Sequence, residues 1–167
     1  TLTEYLLAQL HDGTLDVALL ALPVDDTGLA TLPLFEDTFL LATAANAPKP
    51  RRKRATLDDL ERAPLLLLEE GHCLREQALN FCALRSADNA DSFGASSLST
   101  LVQMVAGGMG QTMLPEMSVA LEASRNDVRV TRFEKPEPSR LVGLAYRATS
   151  PLKADFEALG GVIADTR

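Results

Sequence analysis

Tryptophan is absent from this 167-residue chain, and aromatic side chains are limited to two tyrosines and six phenylalanines. Leucine, alanine and valine must therefore do most of the packing in a chain that is 46% apolar. No apolar run reaches the roughly 20 residues of a membrane-spanning helix, and no stretch has the layout of a signal peptide. Positive charge is in deficit, with a net charge of -7. That balance argues against the chain gripping nucleic acid on its own, because phosphate binding rests on clustered Lys and Arg. Cysteine occurs only twice, too rarely for a disulfide framework. Two such thiols suit a reducing, cytosolic setting, in which a disulfide is transient and regulatory. There is no initiator Met: the chain opens on Thr1-Leu2-Thr3, inside a predicted helix, and reads as part of a longer protein. The length suits one compact domain or two small lobes.

What is present centres on Gly71-His72-Cys73-Leu74-Arg75-Glu76-Gln77-Ala78-Leu79-Asn80-Phe81-Cys82, which holds both cysteines in a stretch that reads as a helix. Nine helical residues rise about 13.5 Å and turn the second side chain about 180° from the first. A disulfide needs Cα atoms within about 7 Å. The two thiols therefore cannot join while the helix stands, and joining them must unwind it. The bland reading is a pair of small buried hydrophobes. Against it, Cys73 opens the helix, where unpaired N–H groups and the macrodipole favour a thiolate. His72 and Arg75 add positive charge, while Glu69 and Glu70 oppose it. Cys82, beside Phe81, reads as a half-buried partner thiol.

Around this segment strands and helices alternate. Leu6, Leu7 and Leu10 have helical spacing that ends at Gly13. Leu15–Leu22 is an apolar run of strand length. Leu32–Phe35 and Thr38–Thr43 read as two further strands. Asn46–Arg54 is a loop whose basic cluster, Arg51 to Arg54, sits beside prolines and reads as solvated. Thr56 caps a short helix, and Leu65–Leu68 is a strand delivering the chain to Cys73. A polar stretch, Arg85 to Asp91, precedes a strand over Ser92–Ser96. Ser97 caps a helix to about Ala106, closed by Gly107-Gly108. Gly108-Met109-Gly110 lacks the third glycine and following helix of a dinucleotide loop, so it reads as a tight turn and no cofactor is expected. Gln111–Pro115, Val128–Phe133 and Leu141–Tyr146 are strands, and Glu116–Ala123 is a helix. Ser150 caps a last helix with Pro151 at its first position. The alternation predicts an α/β fold with mainly parallel sheets.

Gly71-His72-Cys73-Leu74-Arg75, followed by Phe81-Cys82, closely resembles the redox segment of the OxyR family of peroxide-sensing LysR-type transcriptional regulators. The resemblance extends through Leu15–Leu22, Pro33-Leu34-Phe35, Ser97-Leu98-x-Thr100-Leu101, Met113-Leu114-Pro115, Lys135-Pro136-Glu137-Pro138, Gly143-Leu144-x-Tyr146-Arg147 and Ser150-Pro151-Leu152. It covers nearly the whole chain. It implies a two-lobed fold of periplasmic-binding-protein type (type 2). Lobe I would comprise residues 1–35 and 142–167, and lobe II residues 36–141. The winged helix-turn-helix that binds DNA, a linker helix and a first strand would precede residue 1.

The resemblance also assigns roles. Cys73 is the thiol that reacts with hydrogen peroxide, and Cys82 is the resolving thiol. His72 matches the histidine before the reactive cysteine. Arg140 matches an arginine that stabilises the thiolate or polarises the peroxide, and Thr3 a threonine lining the peroxide pocket. The chain would be a stoichiometric cytoplasmic sensor and not an enzyme. It would assemble as a dimer or tetramer and act on DNA only through the preceding domain. RNA polymerase and a thiol reductant such as glutaredoxin would be partners. The pattern departs at Ser92 and Gly94, where the family carries histidine and arginine. The competing reading is an effector-binding domain that holds a small anion between its lobes, with Ser96, Ser97 and the helix they open as a cradle. A thiol peroxidase lacks a matching motif. A metal site through His72, Cys73 and Cys82 would draw its ligands from opposite helix faces.

Overall fold

The computed structural model describes residues 3–49, 52–70, 72–82, 94–124 and 127–166, with Cys82 described by its backbone alone. The chain forms two units, Thr1–Asp37 with Arg140–Arg167, and Thr38–Ser139.

In the first unit, helix α1 (Thr3–Asp12) ends where Gly13 takes φ +84°, the left-handed conformation that costs glycine least. Strands β1 (Val17–Leu22) and β7 (Ser139–Arg147) pair antiparallel, and β7 lies between β1 and β2 (Leu29–Ala44). Strand alternation divides the core. Ala18, Leu20 and Ala145 pack with Leu6, Leu7 and Leu10 of α1. Leu144 and Tyr146 point the other way, onto Phe156 and Ile163 of α5 (Lys153–Asp165). The Tyr146 and Phe156 rings lie 5.0 Å apart between centroids. Gly160 lets α5 ride close on β2, since a Cβ there would sit 2.8 Å from Leu34 Cδ2. Helix α5 starts two residues later than Ser150 as cap would imply. The Ser150 hydroxyl accepts from the Leu152 N–H at 3.3 Å, so residues 150–152 close a turn of their own and the helix begins at Lys153.

The two strands expected over 32–43 are one continuous strand of 16 residues, β2, which begins in the first unit and ends in the second. The polar pair Glu36-Asp37 reads as a break in sequence. In the structure Asp37 stays within the strand because its buried carboxylate pairs with Arg140. Beyond that point β2 pairs antiparallel with β5 (Thr112–Pro115) and β6 (Val128–Arg132). Phe39 and Leu41 on one face meet Leu65, Leu67, Met113, Phe133 and Ala78. Ala42 on the other meets Val102 of α3 (Leu98–Ala106) and Leu114, with Val119 of α4 (Glu116–Glu122) against them. The helix expected after Thr56 is a 3-10 turn, Leu57–Glu61, and the Thr56 N–H donates to Asp59 Oδ2 at 2.7 Å.

The α/β alternation holds. Parallel pairing among the described residues lies between β3 (Leu67–Leu68) and β4 (Gly94–Ala95) and at the bridges Ala55–Phe133 and Leu65–Gln111. The longer ladders, all involving β2 or β7, run antiparallel. Gly108 has φ +78°, and a Cβ on Gly110 would collide with the Pro64 carbonyl oxygen, so the glycines serve a tight turn.

Candidate functional site

Helix α2 (Cys73–Cys82) carries the two cysteines as its first and last residues. It follows β3, whose flanking residues bury Leu65 and Leu67 on one side and Leu66 and Leu68 on the other. The start of α2 is fastened to that strand: Arg75 Nη1 donates to the Leu68 carbonyl at 3.0 Å, and the Arg75 N–H to the His72 carbonyl at 2.9 Å. The guanidinium expected to stand near the thiol thus also ties helix to strand. Ala78 is buried, and Leu74, Leu79 and Phe81 pack against the same core. The Phe81 and Phe133 rings lie 6.4 Å apart at 57°. Cys73 is a free, half-buried thiol, and His72 beside it is half-buried too. A continuous helix between the cysteines separates their Cα atoms by about 13.5 Å. Within this helix the two cysteines are too far apart to be joined.

The other site residues expected from sequence lie in the first unit. Thr3 is the first residue of α1 and partly buried. Arg140 donates through Nε and Nη2 to a single oxygen, Oδ2 of Asp37, at 3.0 and 2.9 Å. Asp37 was not apparent as a partner in the sequence: its cation lies 103 residues away. Gln77, one turn after Cys73, was also missed. Gly71, Ser92 and the stretch from Arg85 to Asp91 lie outside the described residues, as does the Cys82 side chain.

Gly94 is described, and its departure from the family pattern has a physical consequence. A Cβ there would sit 2.8 Å from Glu69 Cγ and 3.1 Å from Glu69 Cα. Side-chain-free backbone at 94 lets β4 close on β3. Gly94→Arg is expected to cost about 1–3 kcal/mol through overpacking, read as a lower denaturation midpoint. An unchanged midpoint would show that the close approach is unimportant.

The remaining motifs are structural. Arg52 pairs with Glu134 at 3.5 Å, and Arg54 pairs with Glu137, so two members of the basic cluster face carboxylates. The hydrogen bond from Arg54 holds the Glu137 carboxyl below its ordinary range. Ser97 Oγ accepts from the Thr100 N–H at 3.2 Å and bonds Thr100 Oγ1, which engages the proposed anion cradle in capping α3. Among the described residues no three His, Cys, Asp or Glu side chains are grouped to hold a metal ion.

The model of the LysR substrate binding domain matches residues 1–166. The hydrogen peroxide-inducible genes activator of Pectobacterium carotovorum is 44% identical over 161 residues, which are 96% of this chain and 53% of that protein. The chain thus spans about half the length of the curated relatives it matches. The crystal structure of the reduced form of OxyR superimposes with a TM-score of 0.83 at 41% identity, covering 99% of this chain and 77% of that one. The oxidised form gives 0.82 at 42%, covering 99% and 78%. On the family model and these solved relatives, the chain belongs to the LysR substrate-binding-domain family, among the OxyR regulatory domains.

Proposed function

We propose that this chain is the redox-sensing regulatory part of a peroxide-responsive transcription regulator. The observation that carries the reading is the placement of Cys73 and Cys82 at opposite ends of one short helix. In the first step the Cys73 thiolate attacks one oxygen of hydrogen peroxide. The O–O bond breaks, the departing hydroxide takes a proton to become water, and the sulfur is oxidised to a sulfenic acid. Cys82 then attacks that sulfur, the S–O bond breaks, a second water leaves, and the disulfide forms. Family resemblance assigns supporting roles to His72, Arg140 and Thr3. The refolded segment would change oligomer geometry, and with it DNA binding through a domain outside this chain. RNA polymerase and a reductant of the glutaredoxin type are the partners this reading implies, in the cytoplasm.

The test is intact-mass spectrometry of the reduced chain after one equivalent of peroxide, with thiols trapped at intervals, in wild type and Cys82→Ser. Wild type is expected to lose two hydrogens through a Cys73–Cys82 link far faster than free cysteine reacts. Cys82→Ser is expected to accumulate a sulfenic acid at Cys73. If both thiols react only at the free-cysteine rate, the reading fails.

A further inference from the structure

Gln77 follows Cys73 by four residues and so lies on the same face of α2, one turn on. Its amide oxygen, Oε1, is buried and is the one such side-chain polar atom without a hydrogen-bond partner among the described residues. Folded proteins leave few groups in that condition. An unmade acceptor weighs against the state that buries it by about five- to a hundredfold in an equilibrium. Everything else named on this helix works the other way: Ala78 is buried, Leu74, Leu79 and Phe81 pack on the core, and Arg75 holds the first turn to β3. Gln77 is the exception, placed midway between the two cysteines.

We propose that Gln77 is a spring built into the dithiol form. Its unsatisfied amide oxygen penalises the helical state of α2 and tilts the Cys73/Cys82 couple toward the disulfide. Unwinding α2 releases that oxygen to water, so the penalty exists in the reduced helix and vanishes in the product. The inference rests on the reading that these two thiols join, and it concerns the position of their equilibrium, whereas the sensor reading concerns the attack on peroxide.

The experiment equilibrates wild type, Gln77→Met and Gln77→Glu in glutathione buffers of fixed composition and reads the oxidised fraction by mass after acid quench. Each disulfide formed consumes one glutathione disulfide: Cys73 thiolate attacks it and expels one glutathione thiolate, and Cys82 then displaces the second. Gln77→Met fills the same space without the orphan acceptor. It is expected to shift the couple toward the dithiol by about tenfold, or about 30 mV for a two-electron couple. Gln77→Glu, which buries a carboxylate there, is expected to shift it toward the disulfide. In a Cys82→Ser background, Gln77→Met is expected to leave the rate of Cys73 sulfenic acid formation within about twofold of the parent. Should Gln77→Glu fail to fold, Gln77→Leu must reproduce the shift seen with Met. A Met couple within twofold of wild type overturns the proposal, as does a shift of Met and Glu in the same direction. Slower peroxide attack in Gln77→Met with an unmoved couple also overturns it and makes Gln77 a peroxide contact. A wild-type chain that forms no Cys73–Cys82 disulfide removes the sensor reading itself, before any variant is compared.

Discussion

Arg140→Ala is expected to lower the unfolding free energy by about 1.5–3 kcal/mol, because it removes charge-assisted hydrogen bonds to a buried carboxylate. Asp37 is fully buried, and two guanidinium N–H groups of Arg140 converge on one of its oxygens at 2.9 and 3.0 Å. Typical domains are stable by only about 5–15 kcal/mol, so the loss would be a large share of the total. Arg140→Lys keeps the charge but loses the planar edge that delivers two donors together, and it should fall between wild type and alanine. Replacing both partners, as Asp37→Leu with Arg140→Met, should recover most of the loss, because an apolar pair of similar volume needs no compensation. Urea midpoints of the four proteins decide the matter. A loss below about 1 kcal/mol for Arg140→Ala would place the pair among weak surface contacts. The measurement also guards the functional reading: a slow Arg140→Ala protein proves nothing about peroxide unless its folded fraction is known.

This pair shows where sequence reading reached and where it stopped. Elements set by local chemistry were legible: the α1 stop at Gly13, the Ser97 cap and the turn at Gly108. So was α2 with its terminal thiols, because helix spacing and helix start are encoded within a dozen residues. Most of what failed depended on a partner far along the chain. Glu36-Asp37 reads as a gap between strands until Arg140 supplies the cation that lets Asp37 stay in β2. Ser150 reads as a cap until its hydroxyl is seen bonded two residues on. Gly94 reads as a lost arginine until Glu69 is found against it. Gln77 could not be read at all, since an unsatisfied amide is defined by what surrounds it. Apart from Ser150, where one local bond displaced another, each miss is a case of tertiary context overriding a local signal, and two of them, Gly94 and Gln77, belong to α2 or the strand pair that flanks it.

Oxidation is expected to raise amide exchange in the second half of α2, from Gln77 to Cys82, by about a hundredfold or more, while Phe39–Ala42 in β2 keep their protection. The cause is distance. A ten-residue helix holds about six intrahelical hydrogen bonds, and its ends are about 13.5 Å apart where a disulfide tolerates about 7 Å. No rotation of two cysteine side chains closes that gap, so backbone bonds must break. The β2–β5 and β2–β6 ladders have no such conflict. Phe81 and Ala78 must leave the core for α2 to unwind. Phe81→Ala should therefore loosen the helix in the reduced chain and narrow the exchange difference between the two states. If the Cys73–Cys82 disulfide forms while the α2 amides stay as protected as before, the helix was never the obstacle. The coupling between bond and shape, on which the proposed switch depends, would then have to lie elsewhere in the chain.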